Sequence, residues 1–155
     1  MDADLFYTNK IRTRVCGLII NNDQILLVEH LINNKAFFAP PGGGVEFGET
    51  IKQALLREVK EETGLEINSS QFKFITEYIQ PPLHAIEVFY HIKSWNGEPI
   101  IGKDPEDLTV IKSVKWYSLN EIKQMPSNEV HHIFHYCNNL RDFFELSGYI
   151  PYPSF

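Results

Sequence analysis

Cysteine is scarce in this chain, with two among 155 residues. Cys16 and Cys137 lie far apart in apolar contexts without metal-type spacing, which excludes a disulfide framework and predicts two reduced thiols in or near the core. Long apolar runs are missing as well, and no stretch approaches the ~18 residues that a membrane-spanning helix needs. The opening residues, MDADLFYTNK, carry neither the basic start nor the apolar middle of a secretory signal, so a cytoplasmic location is expected. Positive charge is outnumbered, 14 Lys and Arg against 20 Asp and Glu, for a formal net charge of −6. Nonspecific attachment to a nucleic acid polymer or an anionic membrane requires clustered cations, and this balance argues against both. A phosphate-bearing substrate would need metal cations to screen its approach. Repeats, linkers and low-complexity stretches are also lacking, and 43% hydrophobic residues suffice for a real core. One domain over residues 1–155 is expected, and a homodimer is compatible with it.

What is present reads as alternating strands and helices. Residues 13–20 are β-branched and apolar, Asn21, Asn22 and Asp23 supply turn chemistry, and QILLVEH resumes the apolar run, which predicts a β-hairpin. Segments 72–80 and 84–94 flank Pro81 and Pro82 and predict a second antiparallel pair. The turn-rich, acidic span WNGEPIIGKDPEDLT precedes a strand at 110–117 and is the expected functional loop. Ser118 with Glu121 forms a capping box ahead of a short helix, and 127–146 reads as a longer C-terminal helix ending at Gly148. The order strands, helix, strands, helices predicts an α/β (α+β) fold, a mixed β-sheet sandwiched between helices.

The densest information lies in residues 42–65, GGGVEFGETIKQALLREVKEETGL. Thr50 with Gln53 makes a capping box and Gly64 stands where a left-handed cap ends a helix, so a helix is predicted over 51–63. At about 100° per residue Ile51, Ala54 and Leu55 form a stripe that Glu58, Glu61 and Glu62 continue. Like charges at these spacings repel by roughly 0.2–0.5 kcal/mol per pair, and negative charge near a helix C-terminus opposes the macrodipole. Something outside the helix must neutralise them. Carboxylates at i, i+3 and i+4 converge on one side, which suits a hard divalent cation that also takes waters and substrate phosphates.

Gly43, Glu49 and the run Arg57-Glu58-Val59-Lys60-Glu61-Glu62-Thr63-Gly64-Leu65 resemble the signature of the Nudix hydrolases at every defined position. The resemblance implies a Nudix-type fold and water attack on phosphorus in a nucleoside diphosphate linked to a further group, with Mg²⁺ or Mn²⁺ as cofactor. It implies Glu58 and Glu62 as metal ligands, a carbonyl of Gly42 beside them, and Glu61 as ligand or general base. Glu49 and Arg57 match the family's internal pair that orients loop and helix. The base varies in this family and sometimes comes from a downstream loop, where Asp104, Glu106 and Asp107 stand and Glu106 is the choice. ADP-ribose, nucleoside triphosphates and sugar nucleotides all stay open as the small-molecule substrate: Pro81 stands where ADP-ribose hydrolases carry a proline, but PLHAIEV departs from the pattern that follows it. The other functional class is a nucleotide-binding or regulatory module that keeps the fold without catalysis.

Other residues have weaker claims. Arg12 and Arg14 alternate onto one face of a strand and could meet phosphate. His131, His132 and His135 are expected on a helix surface, and Phe37, Phe38, Tyr78 and Phe89 could stack a nucleobase or fill the core.

Overall fold

The computed structural model describes residues 7–103 and 110–152. In chain order the strands are β1 (Arg12–Leu18), β2 (Ile20–Asn21), β3 (Gln24–Ile32), β4 (Lys35–Ala39) and β5 (Gly42–Gly44), followed by helix α1 (Ile51–Thr63). Then come β6 (Glu66–Gln80), β7 (Leu83–Asn96), β8 (Val110–Ser118), helix α2 (Leu119–Gln124) and β9 (Gly148–Tyr149). Two sheets result. The first is mixed, in the order β5-β1-β7-β6-β9, with β1 parallel to β7 and β6 parallel to β9. In the second, β3 pairs antiparallel with β2, β4 and β8. Among the described residues no helix is long and apolar enough to cross a membrane.

The expected hairpin of 13–20 with 24–30 is real only at its tip. Asn22 and Asp23 take positive φ of 51° and 58°, and Ile20 and Asn21 pair with Ile25 and Gln24. Before that, β1 belongs to the other sheet, between β5 and β7. Val15 through Ile19 are buried without a polar face, which is how a strand covered on both sides reads. The chain therefore changes sheets at Ile19. The pair at 72–80 and 84–94 forms as expected but is longer, as β6 and β7.

The C-terminal helix expected at 127–146 does not form. Three short 3₁₀ turns replace it, at Ser127–Glu129, His132–Tyr136 and Leu140–Phe144. β-branched, aromatic, His and Asn residues dominate the stretch and are weak helix formers. Its side chains also take backbone N–H groups that a helix would use: His131 Nδ1 accepts from Ile133, Asn139 from Arg141, and Asp142 from both Asn138 and Asn139. The buried residues Phe134, Cys137, Leu140 and Phe143 recur at a spacing of three, the 3₁₀ period.

Two apolar clusters flank the mixed sheet. Val15, Val88 and Ile92 pack with Ala54, Leu55 and Val59 of α1, which fixes that helix against β1 and β7. Cys16, Leu18, Phe74 and Phe89 join Ile25 and Leu27 of β3 and the 3₁₀ turns. Both cysteines are free and buried, as expected.

Candidate active site

Helix α1 starts and stops where the sequence places its caps. Thr50 Oγ1 accepts from the Gln53 amide at 3.0 Å, Gln53 Oε1 accepts from the Thr50 amide at 2.9 Å, and Gly64 is left-handed with φ 76°. The capped frame turns Ala54, Leu55 and Val59 into the core and carries Glu58 and Glu62 to the same buried side, 8% and 3% exposed. Glu61 is half-buried beside them.

Strand β5 crosses directly over these carboxylates. The Gly42 amide donates to Glu62 Oε1 at 3.0 Å. A Cβ on Gly43 would lie 2.4 Å from the Glu58 carboxyl carbon, and one on Gly42 would lie 2.1 Å from the Val15 carbonyl oxygen. Only glycine permits that approach from both sides.

Arg57 ties the group together. Its Nε and Nη2 grip Glu49 at 2.7 and 2.8 Å, Nη2 also donates to the Gly44 carbonyl at 3.1 Å, and Nη1 reaches Glu58 at 2.7 Å and Glu61 at 3.2 Å. The expected pairing with Glu49 is present, and the guanidinium also touches two of the three helix carboxylates. One cation does not compensate the cluster. Burial pushes the Glu58 carboxyl up to about 7, with Arg57 opposing and Glu62 adding to the rise. Glu62 Oε2 is buried without a hydrogen-bond partner and lies 3.4 Å from His30 Nε2. An undercompensated set of hard oxygen donors with one orphaned oxygen fits a divalent cation.

The arginines of β1 separate. Arg12 lies over the Tyr7 ring, 4.4 Å from its centroid, at the outer side of Gly44. Arg14 turns inward, its Nη1 3.4 Å from Glu87 Oε2, and it also feels the charges of Glu62 and Glu58. Arg14 thus pairs with a second buried acid that the sequence motif does not contain. Glu87 is fully buried in β7 between Ala85 and Phe89, and a lone acid in the apolar run HAIEVFY was the available signal.

The histidines correct the expectation of a helix surface: His131 is buried, His132 is half-buried and only His135 is exposed. His131 Nε2 lies 2.7 Å from Glu87 Oε1. Because Nδ1 accepts the Ile133 amide, the proton resides on Nε2 and is donated to Glu87. Glu87, His131 and His132 offer ligand atoms within 4.8 Å of one another, the one group of three metal-capable side chains so placed among the described residues. There the charge is already met: burial alone would raise the Glu87 carboxyl, yet His131 and Arg14 hold it down at about 2. The network therefore reads as an anchor for Arg14.

Among the aromatic candidates, Phe89 stacks on Phe74 in the core at 4.8 Å and Phe38 packs edge-on to Tyr117 at 5.7 Å. Phe37 and Tyr78 meet edge-on at 6.0 Å, half-buried, and both contact His131 near the Arg14 network. Asp104, Glu106 and Asp107 lie outside the described residues.

Comparison with known proteins agrees with this geometry. The NUDIX domain model matches residues 10–136. An ADP-ribose pyrophosphatase of Methanocaldococcus jannaschii is 33% identical over 114 residues, 72% of this chain and 64% of the relative. An NAD-capped RNA hydrolase NudC of Salmonella agona is 28% identical over 77% of this chain and 44% of its own length. The chain thus spans less than two thirds of either relative. In structure, a MutT NUDIX hydrolase from Burkholderia pseudomallei superposes with a TM-score of 0.69 at 20% identity, covering 83% of this chain and 95% of the other, a likeness of fold. A bifunctional NMN adenylyltransferase/ADP ribose pyrophosphatase from Francisella tularensis, described with AMP and a Mn ion, gives 0.57 at 29% identity over 74% of this chain and 36% of the other. Nudix hydrolases generally use a divalent metal. With the domain match running from β1 through the second 3₁₀ turn and the signature helix built as the sequence prescribes, this chain belongs to the Nudix hydrolase family.

Proposed function

We propose that this protein hydrolyses a pyrophosphate bond in a nucleoside diphosphate linked to another group, with a divalent cation held by Glu58, Glu61 and Glu62 and the carbonyl of Gly42. The observation that carries this reading is Glu62 Oε2, buried without a hydrogen-bond partner on the helix end it shares with the buried Glu58 and the half-buried Glu61. Mg²⁺ or Mn²⁺ bound there would acidify a water and neutralise charge on phosphoryl oxygens. Arg57 holds Glu49, Glu58 and Glu61 in one frame, and Arg14 extends the positive field along β1 toward the substrate's phosphates. Arg12 stands farther out on the same strand as a second phosphate contact. The general base is Glu61 or an acid of the loop containing Glu106.

ADP-ribose comes first among the substrates. The archaeal relative is named for it, and Pro81, at the turn between β6 and β7, stands at the sequence position where ADP-ribose hydrolases carry a proline. Phe37 and Tyr78, half-buried beside His131, suit a stacked base or ribose. A Mg²⁺-dependent hydrolysis screen over ADP-ribose, NADH, nucleoside triphosphates, sugar nucleotides and NAD-capped RNA, with product identification, tests the reading. ADP-ribose is expected to turn over fastest, giving AMP and ribose phosphate. Tight nucleotide binding without turnover of any compound contradicts the enzyme reading and favours the regulatory module.

A further inference from the structure

An α-helix leaves its last four carbonyls without partners inside the helix. In α1 those belong to Lys60, Glu61, Glu62 and Thr63, and every one is met. Gly64 caps Lys60 at 2.9 Å, and the segment after β7 supplies the rest: the amide of Ile100 reaches Thr63 at 2.8 Å, Gly102 reaches Glu62 at 3.0 Å and Lys103 reaches Glu61 at 3.1 Å. The fit leaves no room for a side chain. A Cβ on Gly102 would lie 1.8 Å from the Glu61 carbonyl oxygen and 2.7 Å from that of Glu62. Apolar burial does not hold the segment down, since Ile100 and Ile101 remain 62% and 59% exposed. Backbone hydrogen bonds do, and two of the three end on the residues whose side chains carry the cation in the reading above.

We propose that segment 100–103 is a positioning latch for the metal ligands: its amides fix the last turn of α1 so that the Glu61 and Glu62 carboxylates converge, and Gly102 is the residue that permits it. Two physical effects act together. Holding the carbonyls removes fraying, which is otherwise greatest in a final turn and would scatter the two ligands. The N–H dipoles also offset the negative end of the helix, which adds to carboxylate repulsion. The inference rests on Glu61 and Glu62 being ligands, and its test separates the two ideas.

Mn²⁺ is titrated into metal-free protein and free Mn²⁺ is read by electron paramagnetic resonance, for wild type, Gly102→Ala, Lys103→Pro and the control Thr50→Ala, which removes the cap at the far end of the same helix. The latch predicts that Gly102→Ala and Lys103→Pro weaken Mn²⁺ binding by about 10–100-fold, the scale of groups that orient a ligand from outside. Thr50→Ala is expected to lower Tm and leave the affinity unchanged. Linkage supplies an arm that needs no variant: saturating Mg²⁺ must slow amide exchange at Ile100, Gly102 and Lys103 in the wild type. Wild-type affinity in both latch variants, or exchange at those three amides indifferent to Mg²⁺, overturns the latch while leaving the ligands assigned. A wild type that binds no Mn²⁺ overturns both.

Discussion

Replacing Glu62 with Gln is expected to lower turnover by at least about 10²-fold while leaving the metal-free protein as stable as wild type or slightly more so, since loss of a direct ligand exceeds the loss of a group that merely orients one. The two oxygens of Glu62 have different tasks. Oε1 accepts the Gly42 amide at 3.0 Å, and a glutamine keeps that acceptor. Oε2 is buried without a hydrogen-bond partner, and the amide nitrogen of Gln would face the place proposed for the cation. Without metal, the charge is a liability: it adds to the rise of the Glu58 carboxyl toward 7 and sits at the negative end of α1. Turnover and Tm in chelated buffer are measured together. Retained turnover, or a marked fall in apo Tm, counts against Glu62 as a ligand.

Arg57→Ala should be the most damaging change to the apo fold among the charged residues of the signature. It removes the partner of Glu49, Glu58 and Glu61 at once, together with a donor to the Gly44 carbonyl. Breaking a buried pair costs about 3–5 kcal/mol, and with 23% of the Arg57 side chain in water a loss of about 2–3 kcal/mol is expected. The pH dependence of Tm gives a more specific signature. The Arg57 hydrogen bonds hold the Glu49 carboxyl at about 2, against an ordinary 4.5. A carboxyl lowered on folding stabilises the protein above its unfolded value and loses that contribution as pH falls, here from 4.5 through 2. In Arg57→Ala the Glu49 carboxyl returns toward its ordinary value, so the acid slope of Tm should shrink. It should not vanish, because Glu87, also held at about 2, keeps its own partners. An unchanged slope would remove Arg57 as the cause of the Glu49 shift.

The active helix was legible because its information is local. Thr50, Gln53 and Gly64 fix its ends by contacts within a few residues, and the period of Ile51, Ala54, Leu55, Glu58 and Glu62 fixes its face. The short helix after Ser118 was readable for the same reason. What failed was non-local. Thr13 through Ile20 looks like half of a hairpin because β-branched runs carry no label for the sheet they join, and the partner of β1, β7, lies about seventy residues on. The C-terminal stretch mimics a helix in hydrophobicity, but a spacing of three and competition from His131, Asn139 and Asp142 make it 3₁₀. The Arg14, Glu87 and His131 network joins three distant segments and leaves no motif. Its trace was a single acid in an apolar strand. Gly102 likewise read as a loop glycine, because its constraint comes from the carbonyl of Glu61 across the fold.

The central claim is that a cation on the α1 carboxylates directs water onto phosphorus. Its most direct test is hydrolysis in ¹⁸O-labelled water, with Mg²⁺ and the substrate that the screen identifies, followed by mass spectrometry of both products. One labelled oxygen on a phosphate product, and no reaction in chelator, is the expected result. Label confined to a sugar carbon, or turnover that persists without metal, would contradict it.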